Sequence, residues 1–95
     1  MSKVHVFSVY DRASGVYGQP FFSHNQQTAI RSLASEVNRR DDPNSVLSNS
    51  PSDFDLFELG QYEQDTGRFS LHENPVFLCS CFSLLSRPAS IVEDN

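Results

Sequence analysis

Three sets of side chains could carry chemistry: Cys79 with Cys81, the histidines His5, His24 and His72, and the acids Asp53, Asp55 and Glu58. A C-x-C pair can give two thiolates to a metal, but zinc takes four ligands, and no histidine stands at a paired spacing that would complete the set. On a strand both thiols would point the same way and a bridge between them would be strained. They read as small buried side chains kept reduced. Strand alternation sends Asp55 and Glu58 to opposite faces, where solvation accounts for them better than metal binding or acid–base work. His5 and His24 lack the co-ligands that metal ligation needs and read as ordinary surface or strand-edge residues. No G-x-S-x-G, no HExxH and no phosphate-cradling glycine loop occurs. The expectation is a protein that is not an enzyme and uses no metal and no cofactor.

A different chemistry is available to the aromatic residues. Tyr10, Tyr17, Phe21 and Phe22 lie near Arg12 and Arg31, which together are the ingredients of a stacking platform with phosphate contacts. Phe21 and Phe22 are better spent packing the following helix onto a sheet, while Tyr17 and Arg31 stay free of that task. With the cluster at the helix end, the candidate DNA-binding residues are Arg12, Tyr17, Arg31, Arg39 and Arg40. Charge is divided along the chain: residues 1–40 hold five cations against two acids, +3, and residues 41–95 hold two against ten, −8. DNA contact is therefore expected to be local to the first half and salt-dependent, and the second half suits a basic partner.

These residues must be held by a small fold. Ninety-five residues, 38% hydrophobic and 20% charged, fit one domain. A chain of this size removes only about 60–65% of its unfolded surface from water, so pairing of two copies would help it. "KVHVFSVYD" alternates Val4, Val6, Ser8 and Tyr10 against His5, Phe7 and Val9, an interior strand with apolar groups on both faces. Pro20 is expected to send Phe21 and Phe22 off along the sheet edge. Ala29, Ile30, Leu33, Ala34 and Val37 form one helical stripe, capped by a Ser23–Gln26 box or by Asn25, with Arg39 and Arg40 at the dipole's negative end. Residues 41–53 read as a polar loop. "FDLFELGQYE" and "RFSLH" form a hairpin around Asp65–Gly67, with Phe54, Leu56, Glu58 and Tyr62 on one face. Asn74 and Pro75 then end the hairpin, and "VFLCSCFSLL" is compatible with either strand or helix. That run is far short of the ~20 apolar residues a membrane span needs. The N-terminus has no continuous apolar stretch of a secretory kind, which predicts an intracellular protein. The fold class is α+β: a small antiparallel β-sheet with a β-hairpin, covered by one amphipathic α-helix, with a single domain over 1–88 and a flexible tail over 89–95.

The strings "VFSVYDRASGVYGQPFF", "AIRSLASEVN" and "DFDLFELGQYEQDTG", in that order, resemble the small non-structural protein of gokushovirus-type microviruses, phages with single-stranded DNA genomes. The marks are Phe7, Tyr10, Asp11, Tyr17, Gly18, Pro20, Phe21, Ala29 to Arg31, Leu56 to Gly60 and Tyr62. The resemblance implies a bacteriophage protein of the host cytoplasm, counterpart of the microvirus C protein, acting in the switch of DNA replication and in DNA packaging. Expected partners are single-stranded DNA and the viral replication initiator or procapsid proteins; a second copy in a homodimer is expected from the small size of the domain. The resemblance carries no established site residues. The alternative is a protein–protein adaptor or host-directed inhibitor that uses the acidic second half and does not bind DNA.

Overall fold

Nine residues of alternating β-branched and aromatic character, Lys3–Asp11, form β1 and lie inside the sheet, as the two apolar faces require. In this computed structural model, which describes residues 2–86, β1 pairs antiparallel with β4 (Phe54–Glu63) on one side. Its other side is shared by two short strands, β2 (Val16–Tyr17) and β3 (Phe21–Ser23). The outer strand is β5 (Arg68–Ser80), antiparallel to β4, giving the order β2-β1-β4-β5 with β3 also on β1. Gly15 and Gly67, at φ 76° and 72°, close the β1–β2 and β4–β5 turns in a conformation costly for other residues. The hairpin around Asp65–Gly67 is thus as read from the sequence.

Three local readings need correction, and the apolar run left open between strand and helix is resolved. Phe21 and Phe22 stay on the sheet, because Pro20 falls between β2 and β3 where no ladder hydrogen bond is lost. The crossing is tied down by Gly18 N–H to Val9 O (2.8 Å) and Ser8 Oγ–H to Gly18 O (2.8 Å). Asn74 and Pro75 do not end the hairpin. Leu71 lies opposite Gly60 and Val76 opposite Glu58, so His72–Pro75 bulge out against Leu59 alone, and an edge-strand bulge is where proline is tolerated. The apolar run continues β5 to Ser80 and then forms a 3-10 turn, Cys81–Leu84. Residues 41–53 are not merely a loop: they contain the short helix α2 (Val46–Asn49) and a 3-10 turn, Pro51–Asp53.

Helix α1 (Gln26–Val37) is capped by Asn25, whose Oδ1 accepts the Thr28 N–H at 2.8 Å; Ser23 belongs to β3 and cannot cap. Asn38 closes the other end, donating from Nδ2 to Ala34 O (2.7 Å) and Leu84 O (2.9 Å). Arg39 and Arg40 therefore lie past the helix rather than in its last turn. Ala29, Leu33 and Val37 from α1, Phe7 and Leu56 from the sheet and Cys81 form the buried core, with Leu47, Leu84 and Leu85 packed around it. Fully burying a side chain such as Phe7 or Leu56 contributes about 1.5–3 kcal/mol. The coarse α+β assignment holds, but α1 shares its layer with α2 and the 3-10 turns. A 12-residue helix reaches only ~18 Å, whereas a 10-residue strand reaches ~33 Å. Beyond its reach the same face turns polar, with Lys3, Gln61, Glu63 and Arg68 in register. The tail expected over 89–95 lies outside the described residues.

Candidate functional site

The second face of the sheet is aromatic. Registers place Tyr10 opposite Tyr17, Phe57 opposite Phe77, Val6 opposite Phe22, and Tyr62 opposite Phe69, all turned away from α1. At one end the Tyr10 and Tyr17 ring centroids are 4.7 Å apart; Phe57 meets Tyr17 edge-on at 5.6 Å and Phe77 at 5.8 Å. At the other end Tyr62 and Phe69 are 4.9 Å apart, and Phe22 lies 5.7 Å from Tyr62. Among the described residues nothing packs across these rings: Tyr17, Phe22, Phe69, Leu71 and Phe77 are 43–63% exposed. A monomer rarely leaves so many adjacent large apolar groups open without a use for them.

The alternation read from the sequence places Tyr62 with Leu56 and Glu58, and the structure moves it to the aromatic face. Val6 pairs with Gly60 but Phe7 with Glu58, so Leu59 is an extra residue in β4 and reverses the pattern beyond it. Phe22 likewise does not pack α1 onto the sheet; only Phe21 does, stacked on Phe7 at 5.6 Å.

The five candidate DNA-binding residues are not brought together. Tyr17 stands on the aromatic face. Arg12 sits at its end, with Nε 3.2 Å from Asp55 Oδ2 and Nη2 donating to Ser52 O, so its charge is matched locally. Arg31 is exposed on α1, and Arg40 is exposed beyond it. Arg39 is engaged by Asp41 (2.9 Å) and Glu36 (3.2 Å), and these bonds raise its pKa, Asp41 contributing most. Three of the four arginines thus belong to the helical layer, which occupies the other face of the sheet.

Reading from the sequence missed a buried polar cluster. Glu58, read as solvated, is 4% exposed. Its Oε1 accepts from Gln26 Nε2 (2.9 Å) and faces His5 Nδ1 (3.2 Å), and its Oε2 faces His72 Nε2 (2.7 Å). Burial pushes the carboxyl pKa up; the bonds from Gln26 and His72 and the His5 contact together outweigh it and hold the group below its ordinary range. The cluster draws on β1, β4, the β5 bulge and the first turn of α1, so no sequence spacing announces it. The one available signal was a glutamate at a core-facing position of a strand. Among the described residues no group of His, Cys, Asp and Glu is placed to hold a metal ion.

A groove of about 490 Å³ runs between α1 and the β2–β3 edge, lined by Val9, Val16, Phe21, Leu33, Leu47 and Phe54, with Asp11 and Glu36 among its polar groups. Cys79 and Cys81 are free thiols, and burial, aided for Cys81 by Cys79 and Asp55, pushes Cys81 up to about 12. A thiol so shifted is not a nucleophile.

Comparison with known proteins gives one consistent result. No solved structure matches. Protein ORF5 of Chlamydia phage 1 is 37% identical over 70 residues, covering 70% of this chain and 72% of that protein. The family model described as Phage ORF5 protein matches residues 4–84, a span that takes in the whole core and both groups of aromatic rings. The chain belongs to the Phage ORF5 protein family.

Proposed function

We propose that this phage protein works without catalysis in viral DNA replication switching and in packaging of a single-stranded genome, by binding single-stranded DNA across the aromatic face of its sheet. The observation that carries the reading is the row of exposed rings from Tyr17 and Phe77 to Phe22 and Phe69. Bases stack on such rings at about 1–3 kcal/mol each and with little sequence preference, which suits a protein that must accept a whole genome. The resemblance to the gokushovirus non-structural protein supports the biological setting, the cytoplasm of the infected host. Arg12, already neutralised by Asp55, is the arginine near this face, and the chain carries a net charge of −5, so the salt dependence is shallow rather than that of a coating protein.

The test is fluorescence anisotropy with a labelled single strand of about 30 nucleotides at about 50 and 200 mM salt. Tyr17→Ala and Phe77→Ala should each weaken binding by about 5- to 150-fold, the equivalent of one lost stack. Arg31→Ala should change it less than about twofold, because an exposed charge on the far layer is screened within about a Debye length. Absence of binding at the lower salt, or sensitivity to Arg31→Ala with both ring variants silent, overturns the reading.

A second reading rests on the groove beside α1. Its apolar lining with Asp11 and Glu36 suits a basic, leucine-bearing segment of a replication initiator or procapsid protein. Capture of such a partner that survives Tyr17→Ala and is lost with Leu47→Glu would select the adaptor role instead.

A further inference from the structure

Among the described residues no strand pairs with the outer edge of β5. β5 is the longest strand and the outermost, its first ten residues are exposed, and its last three are half-buried. An open edge is a row of unpaired N–H and C=O groups ready to pair with another strand. Proteins usually protect such an edge with charge, proline or bulges. Here the bulge and Pro75 interrupt it at His72–Pro75 and leave Arg68–Leu71 clear, with Phe69 and Leu71 55% and 63% exposed.

We propose that this edge pairs with the same edge of a second copy, forming an antiparallel homodimer with one continuous sheet. The occupant follows from the strand itself. A two-fold axis perpendicular to the sheet keeps the aromatic faces of both copies on one side and pairs residue i with j and j with i. Pairs sharing a face must then be an even number of residues apart. A register centred on Ser70 meets this condition, placing Phe69 of each copy opposite Leu71 of the other on the aromatic face. Large apolar cross-strand pairs of this kind are the favourable ones. Charge agrees with it: Arg68 balances Glu73 within β5, so the formal charge of this edge is zero within a chain of net charge −5. Two copies can approach along β5 without the repulsion they meet elsewhere. The inference does not depend on DNA binding, although a dimer of this form would double the length of the aromatic face.

Sedimentation velocity of the full chain without DNA, from about 5 to 200 µM, tests the association, and a cysteine cross-link tests the register. The native chain should sediment as a dimer at the upper end, and Leu71→Glu, at a site too exposed to unfold the monomer, should raise the dissociation constant at least tenfold. Directly opposed residues in an antiparallel pair have Cα atoms about 4.5–5.5 Å apart, within disulfide reach. Ser70→Cys should therefore cross-link on mild oxidation, whereas Gln64→Cys in the distant hairpin turn should not. A native chain that stays monomeric overturns the dimer; a dimer without the Ser70→Cys cross-link overturns this edge and register.

Discussion

Replacing Glu58 by glutamine keeps the volume of a buried side chain and removes its charge. Three donors, Gln26 Nε2, His5 Nδ1 and His72 Nε2, converge on this carboxylate at 2.9, 3.2 and 2.7 Å. Hydrogen bonds to a charged group are worth about 1.5–3 kcal/mol each. The full sum is not lost, because glutamine Oε1 can still accept from Gln26 and His5 and the rings of His5 and His72, with side chains 26% and 38% exposed, recover water. Its amide, however, sets N–H donors against His72 Nε2 in a site that is nearly sealed. The net loss is about 2–3 kcal/mol, a fall in Tm of roughly 10–20 °C for a domain of this size. Urea and thermal denaturation followed by circular dichroism at pH 7 measure it. The pH dependence is a second signature. The folded-state pKa of Glu58 is depressed, so its stabilisation is present above the ordinary carboxylate pKa of about 4.3 and is lost as pH falls through the lower folded value. The gap between native and Glu58→Gln proteins should shrink between about pH 5 and pH 3. A loss below about 0.5 kcal/mol at pH 7, or a gap that does not narrow in acid, would refute the argument that this carboxylate holds the strands together.

Two further outcomes follow from packing. At Gly60, φ is +155° and an added Cβ would lie 2.6 Å from Leu71 Cα and closer still to Ser70 O, both backbone atoms of the paired strand. Gly60→Ala should therefore cost about 3 kcal/mol or more in urea unfolding, and a loss under about 1 kcal/mol would mean that β4 and β5 separate freely there. Cys81 should resist a thiol reagent such as DTNB at pH 8, where a thiol pushed up to about 12 is ionised in only about one molecule in ten thousand; labelling within seconds of the native protein would contradict its burial.

What the sequence disclosed and what it hid divide along a physical line. Period-2 and period-3.6 patterns report local geometry, and they located β1, α1 and the β4–β5 hairpin. They also group Leu33 with Val37 on one helical stripe and Leu56 with Phe54 on one strand face, all four of which pack in or against the core. Asn74–Pro75 reads as a stop because a four-residue bulge opposite one residue has no local signature, and a proline inside a bulged edge looks the same in sequence as one that ends a strand. Nearness along the chain gathers Tyr17 with Arg31, Arg39 and Arg40 as DNA-binding candidates. The fold separates them, since a strand and the helix that packs behind it present opposite faces. The Glu58 cluster was invisible for a similar reason: His5 and His72 lie 53 and 14 residues from the glutamate and meet it only through sheet register.

That cluster also bears on how the aromatic face arises. The sequence of β4 taken alone would put Tyr62 on the same side as Glu58, behind the sheet, and leave Phe22 and Phe69 without a ring between them. The extra residue at Leu59 turns Tyr62 round, and each neighbouring ladder has an irregularity at this point: Val6/Phe7 against β4, and Glu58/Gly60 against β5, where a second one lies at Leu56/Phe57. A bulge leaves ladder groups unpaired and needs compensation. Here Glu58 supplies it next to the extra residue, binding β1 through His5, the β5 bulge through His72 and α1 through Gln26. Gly60 supplies the close backbone approach on the other side. The position of Tyr62 on the aromatic face thus follows from the reversed alternation, and the Glu58 cluster borders the point where the reversal occurs. A buried charge costly to keep is retained where it fixes which face a ring presents, and weakening it should disturb the Phe22–Tyr62–Phe69 end of the face before the Tyr17–Phe77 end.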